Sequence, residues 1–152
     1  MKKKVFVHLD MDSVEAISEF HGFNLQDKDN RIFISSIHNS LNFFKQFNVK
    51  ATYFVIARDL EISERLEAIK QVLKSGHNIA SHSYGHSFLR NLSKKEKIYE
   101  ISKSKEIIED KLGVEVLGFR APAYSIDCEV LEALCDVGYK YDSSIIPNNK
   151  NK

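Results

Sequence analysis

Four residues of types that bind metal ions stand at two short spacings in this sequence. His82 and His86 are four residues apart in IASHSYGH, and Asp10 and Asp12 are two residues apart in LDMD. Residues at i and i+4 share a face on a helical turn, and residues two apart share a side of an extended chain. Two imidazoles and one carboxylate leave a coordination position open for water, as in catalytic zinc sites. The pattern predicts a divalent metal site, with zinc as the first candidate, and leaves the second carboxylate to act as a base.

A third polar stretch, RAPAY, contributes Arg120 and Tyr124. Each candidate alone has an ordinary explanation: a histidine pair on a helix surface, an aspartate such as Asp12 that caps a helix or forms a turn, a salt-bridged arginine or a core tyrosine. Their combination favours a site because all three stretches follow predicted strands. Parallel α/β folds form their sites at the carboxyl ends of strands.

The elements that must position these residues alternate along the chain. The segment KVFVHLD is short and rich in β-branched and aromatic residues and predicts a buried strand, and four more short strands are predicted after it. Apolar residues every three or four positions predict a helix over residues 31–48, and signals at helix ends predict three more helices. Ser63 is predicted to cap the second helix, and Ser93 and Glu96 form a predicted capping box at the third. No regular structure is predicted for residues 11–30. The predicted strands are 4–10, 50–56, 77–81, 116–119 and 139–141, and the predicted helices are 31–48, 63–76, 93–112 and 127–137.

The order βαβαβαβαβ with short connections requires a mainly parallel sheet, either open or closed into a barrel.

The charge of the chain limits the partners that it can attract. A net charge of +1 provides no long-range attraction to nucleic acid or an anionic membrane. The lysines of residues 94–105 alternate with glutamates, which is typical of a solvated helix face and argues against nucleic-acid binding.

The sequence also bears on location. No apolar stretch approaches the roughly 18 residues of a membrane-spanning helix. MKKKVFVHLDMDS lacks the cleavage site of a secretory signal, so a cytoplasmic protein is expected. Cys128 and Cys135 suit neither a zinc knuckle nor a redox pair and are expected to be buried free thiols.

Five stretches in this order, LDMD, KATYFV, GHNIASHSYGH, GFRAPAYSI and GYKYDSSIIP, resemble the polysaccharide deacetylases of carbohydrate esterase family four, the chitooligosaccharide deacetylase homology domain. The resemblance extends from Val5 to Pro147. It implies a distorted, incomplete (β/α) barrel of parallel strands that lacks its C-terminal strands. The domain is therefore expected to comprise residues 1–147, followed by a polar tail of residues 148–152.

The resemblance also implies a role for each candidate. Asp12, His82 and His86 would be the metal ligands, usually of zinc, and Asp10 would be the catalytic base. Arg120 would hold that base in place. The backbone amide of Tyr124 would help to bind the oxyanion. The substrate would be an N-acetylated amino-sugar glycan or its precursor.

The sequence departs from the family pattern at two points. Met11 separates the two acids, which are commonly adjacent in the family, and no histidine follows His86 to match the family's general acid. Three hypotheses remain: an N-deacetylase, a related hydrolase of cyclic amides, and a catalytically silent metal-binding or assembly module. Missing strands would also leave a sheet edge uncovered, where self-association or a second polypeptide could bind.

Overall fold

The computed structural model describes residues 4–146 and contains one sheet of five parallel strands. The strands are paired in chain order, and within the described residues the first and last do not pair with each other. The sheet is therefore an open, incomplete barrel, which confirms the predicted fold class. The predicted tail of residues 148–152 lies outside the described residues. The strands are β1 (Val7–Met11), β2 (Ala51–Val55), β3 (Asn78–Ser81), β4 (Gly118–Phe119) and β5 (Tyr141–Asp142).

Helices connect successive strands and cover the sheet. They are α1 (Val14–Phe20), α2 (Arg31–Phe47), α3 (Ser63–Lys74), α4 (Lys94–Leu112) and α5 (Cys128–Val137). The part of the chain described by the structure contains no helix that is both long and apolar enough to cross a membrane.

The helix termini confirm one predicted cap and correct two other expectations. The capping box of Ser93 and Glu96 is present at the start of α4. Ser63 is not a cap, because it is already the first residue of α3 and Ile62 precedes the helix. Helix α1 lies where no regular structure was predicted, and the Ser13 hydroxyl caps it by accepting a hydrogen bond from the Ala16 amide at 3.3 Å.

The core lies where the apolar stripes of the helices meet the sheet. Tyr53, Phe54 and Phe119 are fully buried, as is typical of parallel strands covered on both faces. From α2, Phe33 and Ile37 point into the same core. Burying one such side chain contributes roughly 1.5–3 kcal/mol, so these contacts dominate the stability of the sheet that carries the site.

Two features of the helices differ from the predictions. Lys97, on the α4 face expected to be solvated, is buried and donates to Asp127 at 2.8 Å and Glu129 at 2.7 Å. Cys128 and Cys135 are free, as predicted, but exposed rather than buried. The cysteines lie off the buried stripe of α5, which is formed by Val130, Ala133 and Leu134.

Candidate metal centre

The predicted polar stretches come together because backbone hydrogen bonds between neighbouring strands continue beyond the ends of β3, β4 and β5. The His82 amide donates to the Val55 carbonyl at 2.8 Å, and the Arg120 amide donates to the Ser81 carbonyl at 2.9 Å. The Ser143 amide donates to the Phe119 carbonyl at 2.8 Å. Residues that follow β3, β4 and β5 are thereby fixed at one edge of the sheet.

The three predicted ligands converge at this edge. One donor atom from each of Asp12, His82 and His86 lies within 4.8 Å of the others. Oδ1 of Asp12 is 3.4 Å from Nε2 of His82 and 3.5 Å from Nε2 of His86, longer than an N–H···O hydrogen bond of good geometry. Among the described residues, Asp12 Oδ1 and His86 Nδ1 are buried without a hydrogen-bond partner. A buried carboxylate oxygen that faces two imidazole nitrogens fits a divalent cation bound between them.

The electrostatics of these residues also suit metal binding. Burial lowers the pKa of His82, although the Asp12 and Asp10 carboxylates oppose that shift. Its Nδ1 lies 2.7 Å from the carbonyl oxygen of Arg120, so Nδ1 carries the proton and the lone pair of Nε2 faces Asp12. Burial tends to raise the pKa of Asp12, but the His86 and His82 imidazoles more than offset it and the pKa is lowered. Neutral imidazoles and an ionised carboxylate are the forms that bind metal.

The histidines lie on a loop and not on the predicted helical turn. Ser83 and His86 both have left-handed backbones, with φ of 67° and 62°. The Ser83 hydroxyl accepts a hydrogen bond from the His86 amide at 3.0 Å and closes the loop. The two imidazoles nevertheless come together, with ring centroids 5.2 Å apart.

Arg120 connects the metal ligands to the predicted base. Its carbonyl oxygen orients His82, while its Nη1 donates to Asp10 Oδ1 at 2.6 Å. The guanidinium lies over the Phe54 ring at 4.2 Å, which fixes its plane. The predicted pairing of Arg120 with Asp10 is therefore present in the structure, and the catalytic role of the pair stays a prediction.

Two further partners of Arg120 were not identified as site residues from the sequence. Nη2 lies 2.8 Å from Nδ1 of His8 and donates to the Ser143 hydroxyl at 2.7 Å. Since an arginine cannot accept a hydrogen bond, His8 Nδ1 must be unprotonated. Burial, and then the Arg120 charge, lower the pKa of His8 accordingly. The serine could have been found from YDSS, which follows a predicted strand at the same edge.

Tyr124 lies beside this cluster, with its ring 5.8 Å from the Arg120 guanidinium. Its backbone is left-handed, with φ of 55°, and its amide donates to the Ala121 carbonyl at 2.9 Å. The amide would have to exchange this bond for one to a substrate in order to bind an oxyanion. Its predicted role stays a prediction.

A buried ion network fixes the chain that follows Asp12. Arg65 donates to Glu15 in α1 at 2.7 Å, to Asp59 at 2.6 Å and to Asn30 at 2.7 Å. Burial tends to raise the pKa of Glu15, but hydrogen bonds from the Asp27 amide and Arg65 hold it below its usual value. Helix α1 is therefore anchored to α3, and the position of Asp12 is constrained from its C-terminal side.

The fold and this site define a parallel α/β domain with a candidate metal centre at the carboxyl edge of its sheet. Residues 34–141 match the sequence profile of a family described as polysaccharide deacetylase. The chain belongs to the polysaccharide deacetylase family.

Curated relatives and solved structures agree with this assignment. A peptidoglycan deacetylase of Helicobacter pylori is 29% identical over 109 residues, covering 72% of this chain and 36% of the relative. A peptidoglycan-N-acetylglucosamine deacetylase of Bacillus cereus is 32% identical over 100 residues, covering 66% and 46%. The chain thus spans less than half the length of either relative.

Among solved structures, a pseudoenzyme of carbohydrate esterase family four from Bacillus anthracis superposes with a TM-score of 0.72 at 22% identity. The match covers 93% of this chain and 43% of that one. The chitin deacetylase of Colletotrichum lindemuthianum gives a TM-score of 0.67 at 22% identity, covering 91% and 54%. At this identity the two structures establish the shared fold.

Proposed function

We propose that this protein is a metal-dependent hydrolase that removes N-acetyl groups from amino-sugar residues of a glycan or its precursor. The observation that carries the proposal is the convergence of Asp12, His82 and His86 within 4.8 Å, linked through Arg120 to the carboxylate of Asp10. The names of the relatives, which include peptidoglycan and chitin deacetylases, support the substrate class. The cytoplasmic location stays a prediction from the sequence.

Asp12, His82 and His86 would hold the metal, with zinc the first candidate. A divalent metal bound there would supply Lewis acidity and lower the pKa of a water molecule towards about 7. Asp10 would take the proton from the attacking water, because a carboxylate held in one orientation by an arginine is a competent general base. Arg120 would keep Asp10 in that orientation and, through its carbonyl oxygen, keep His82 in the tautomer that leaves Nε2 free.

Substrate would have to reach this centre at the carboxyl edge of the sheet. A cleft of about 580 Å³ borders His86 and is lined in part by Phe20, Phe88 and Tyr99. Phe88 and Tyr99 are 38% and 52% exposed, so their rings are accessible to a glycan. Negative charge that develops on the acetyl oxygen would be stabilised by a backbone N–H, for which Tyr124 is the candidate; one such donor is typically worth about 10²- to 10³-fold in rate.

The test is acetate release from N-acetylglucosamine oligomers and from peptidoglycan, with and without added zinc. We expect zinc-dependent release that is lost in Asp10→Ala and His82→Ala. The exposed residues Asp136 and His38 provide matched controls as Asp136→Ala and His38→Ala, which should retain activity. Release that persists in Asp10→Ala would contradict the assigned base. Metal binding without release from either glycan would favour the silent module instead.

A further inference from the structure

Glu100 of α4 is a buried carboxylate that the proposed chemistry does not use. It is 8% exposed, and its Oε2 accepts hydrogen bonds from the amides of Tyr84 at 3.1 Å and Gly85 at 2.9 Å. Its Oε1 accepts a longer bond from the Ser87 hydroxyl at 3.3 Å. All three donors lie between or directly after the two histidines. One side chain therefore binds the backbone of the segment of residues 82–86, here named the histidine loop.

The histidine loop needs such support because its backbone is unfavourable on its own. Ser83 and His86 are both non-glycine residues with left-handed backbones. Such conformations persist only where surrounding contacts hold them. Backbone hydrogen bonds hold the carbonyls of Ser83 and Tyr84, which accept from the amides of Ala57 and Arg58. The amides of Tyr84 and Gly85 depend on Glu100.

Gly85 leaves room for the Glu100 carboxylate beside the loop backbone. A Cβ atom added at Gly85 would lie 3.1 Å from Glu100 Oε1, closer than an ordinary contact. The absence of a side chain therefore allows the backbone to approach the carboxylate. An ionised acceptor bound to two backbone amides forms stronger hydrogen bonds than a neutral one.

We propose that Glu100 is a positioning residue that holds the histidine loop in its metal-binding conformation before any metal is bound. This inference rests on the proposed metal site. Glu100 forms hydrogen bonds to the backbone that carries His82 and His86 and to neither imidazole. Partners that orient metal ligands typically contribute about 10- to 100-fold in metal affinity. We expect an effect near the lower end of that range, because the action is indirect.

The first experiment measures the affinity for zinc alone in two variants and a control. Glu100→Met keeps the length of the side chain but removes the acceptors, and we expect about tenfold weaker binding. Glu100→Gln keeps one neutral oxygen that can accept from both amides, so its zinc affinity should lie between those of Glu100→Met and the wild type. Glu106→Met is the matched control, since Glu106 lies on the same helix and pairs with Lys103 at the surface. It should bind zinc as the wild type does.

The second experiment does not depend on any variant folding. Amide hydrogen exchange of the metal-free wild type should show Tyr84 and Gly85 protected, because the loop is already ordered. Rapid exchange of both amides in the folded, metal-free protein would overturn the proposal. So would wild-type zinc affinity in a folded Glu100→Met variant. If the wild type itself bound no zinc, the proposed function would fail, whereas protected amides would still establish the loop contact.

Discussion

Removing the Arg120 side chain should destabilise the fold as well as impair the site. Arg120→Met keeps an unbranched side chain of intermediate length but deletes the guanidinium that lies over the Phe54 ring and donates to Asp10, His8 and Ser143. A hydrogen bond to a charged group is worth about 1.5–3 kcal/mol, and losing one partner of a buried ion pair costs about 3–5 kcal/mol. The Asp10 side chain is 28% exposed and partly solvated, so we expect a loss of about 2–4 kcal/mol in the free energy of unfolding.

The assay is urea unfolding of the metal-free protein, arranged as a double-mutant cycle with Asp10→Asn. The cycle isolates the coupling between the two side chains, which should be about 1–3 kcal/mol. Arg31→Met is a suitable control, because the ion pair of Arg31 with Asp29 is 81% and 72% exposed and should contribute less than about 1 kcal/mol. A coupling energy near zero would show that the contact of Arg120 with Asp10 does not stabilise the fold, and the reasoning would be refuted.

Two further predictions follow from the described side chains. Burial is the largest cause that lowers the pKa values of His8 and His77. The Nδ1 atom of each accepts a hydrogen bond and is therefore unprotonated in the folded protein. The unfolded chain therefore takes up these protons at higher pH, so the free energy of unfolding should fall as the pH drops from about 7.5 to about 5.5. Urea unfolding across that interval checks the sign, and stability that rises on acidification would contradict it. Because Cys128 and Cys135 are both exposed, a thiol reagent should modify two equivalents in the native protein. Modification that requires denaturant would contradict their placement.

The sheet and four of its helices were predictable because their signals are local. Residues 50–56 are apolar enough to be identified as a strand, and α2 and α5 repeat apolar residues at helical spacing. The capping box of Ser93 and Glu96 placed the start of α4 correctly. The predicted strand ends were less accurate: β4 begins at Gly118 and not at residue 116, because only Phe119 pairs with β3 and only Gly118 and Phe119 pair with β5.

Features that depend on tertiary contacts could not be predicted in this way. Helix α1 has only seven residues, and it is held by the buried Arg65, which is distant in sequence. The left-handed backbones of Ser83 and His86 have no signal in their residue types, so the spacing of the histidines was misread as a helical turn. The positions of His8 and Ser143 depend on Arg120, which comes from another strand end.

The candidate site was predictable at the level of residue types and strand ends. All three predicted ligands come together, and so do Asp10 and Arg120. The family resemblance was needed to assign Asp10 as the base and Asp12 as the ligand, because the spacing of the two aspartates does not distinguish them. The contact of Glu100 with the loop was not predictable, because α4 meets the loop only in the folded chain.

The most direct test of the account is the zinc stoichiometry and affinity of the purified protein, measured beside His82→Ala and Asp10→Ala. We predict one tightly bound equivalent in the wild type. Binding should be lost in His82→Ala, which removes a ligand, and retained in Asp10→Ala, which removes the base. Full binding by His82→Ala, or none by a folded wild-type protein, would contradict the assignment of Asp12, His82 and His86 as a metal centre.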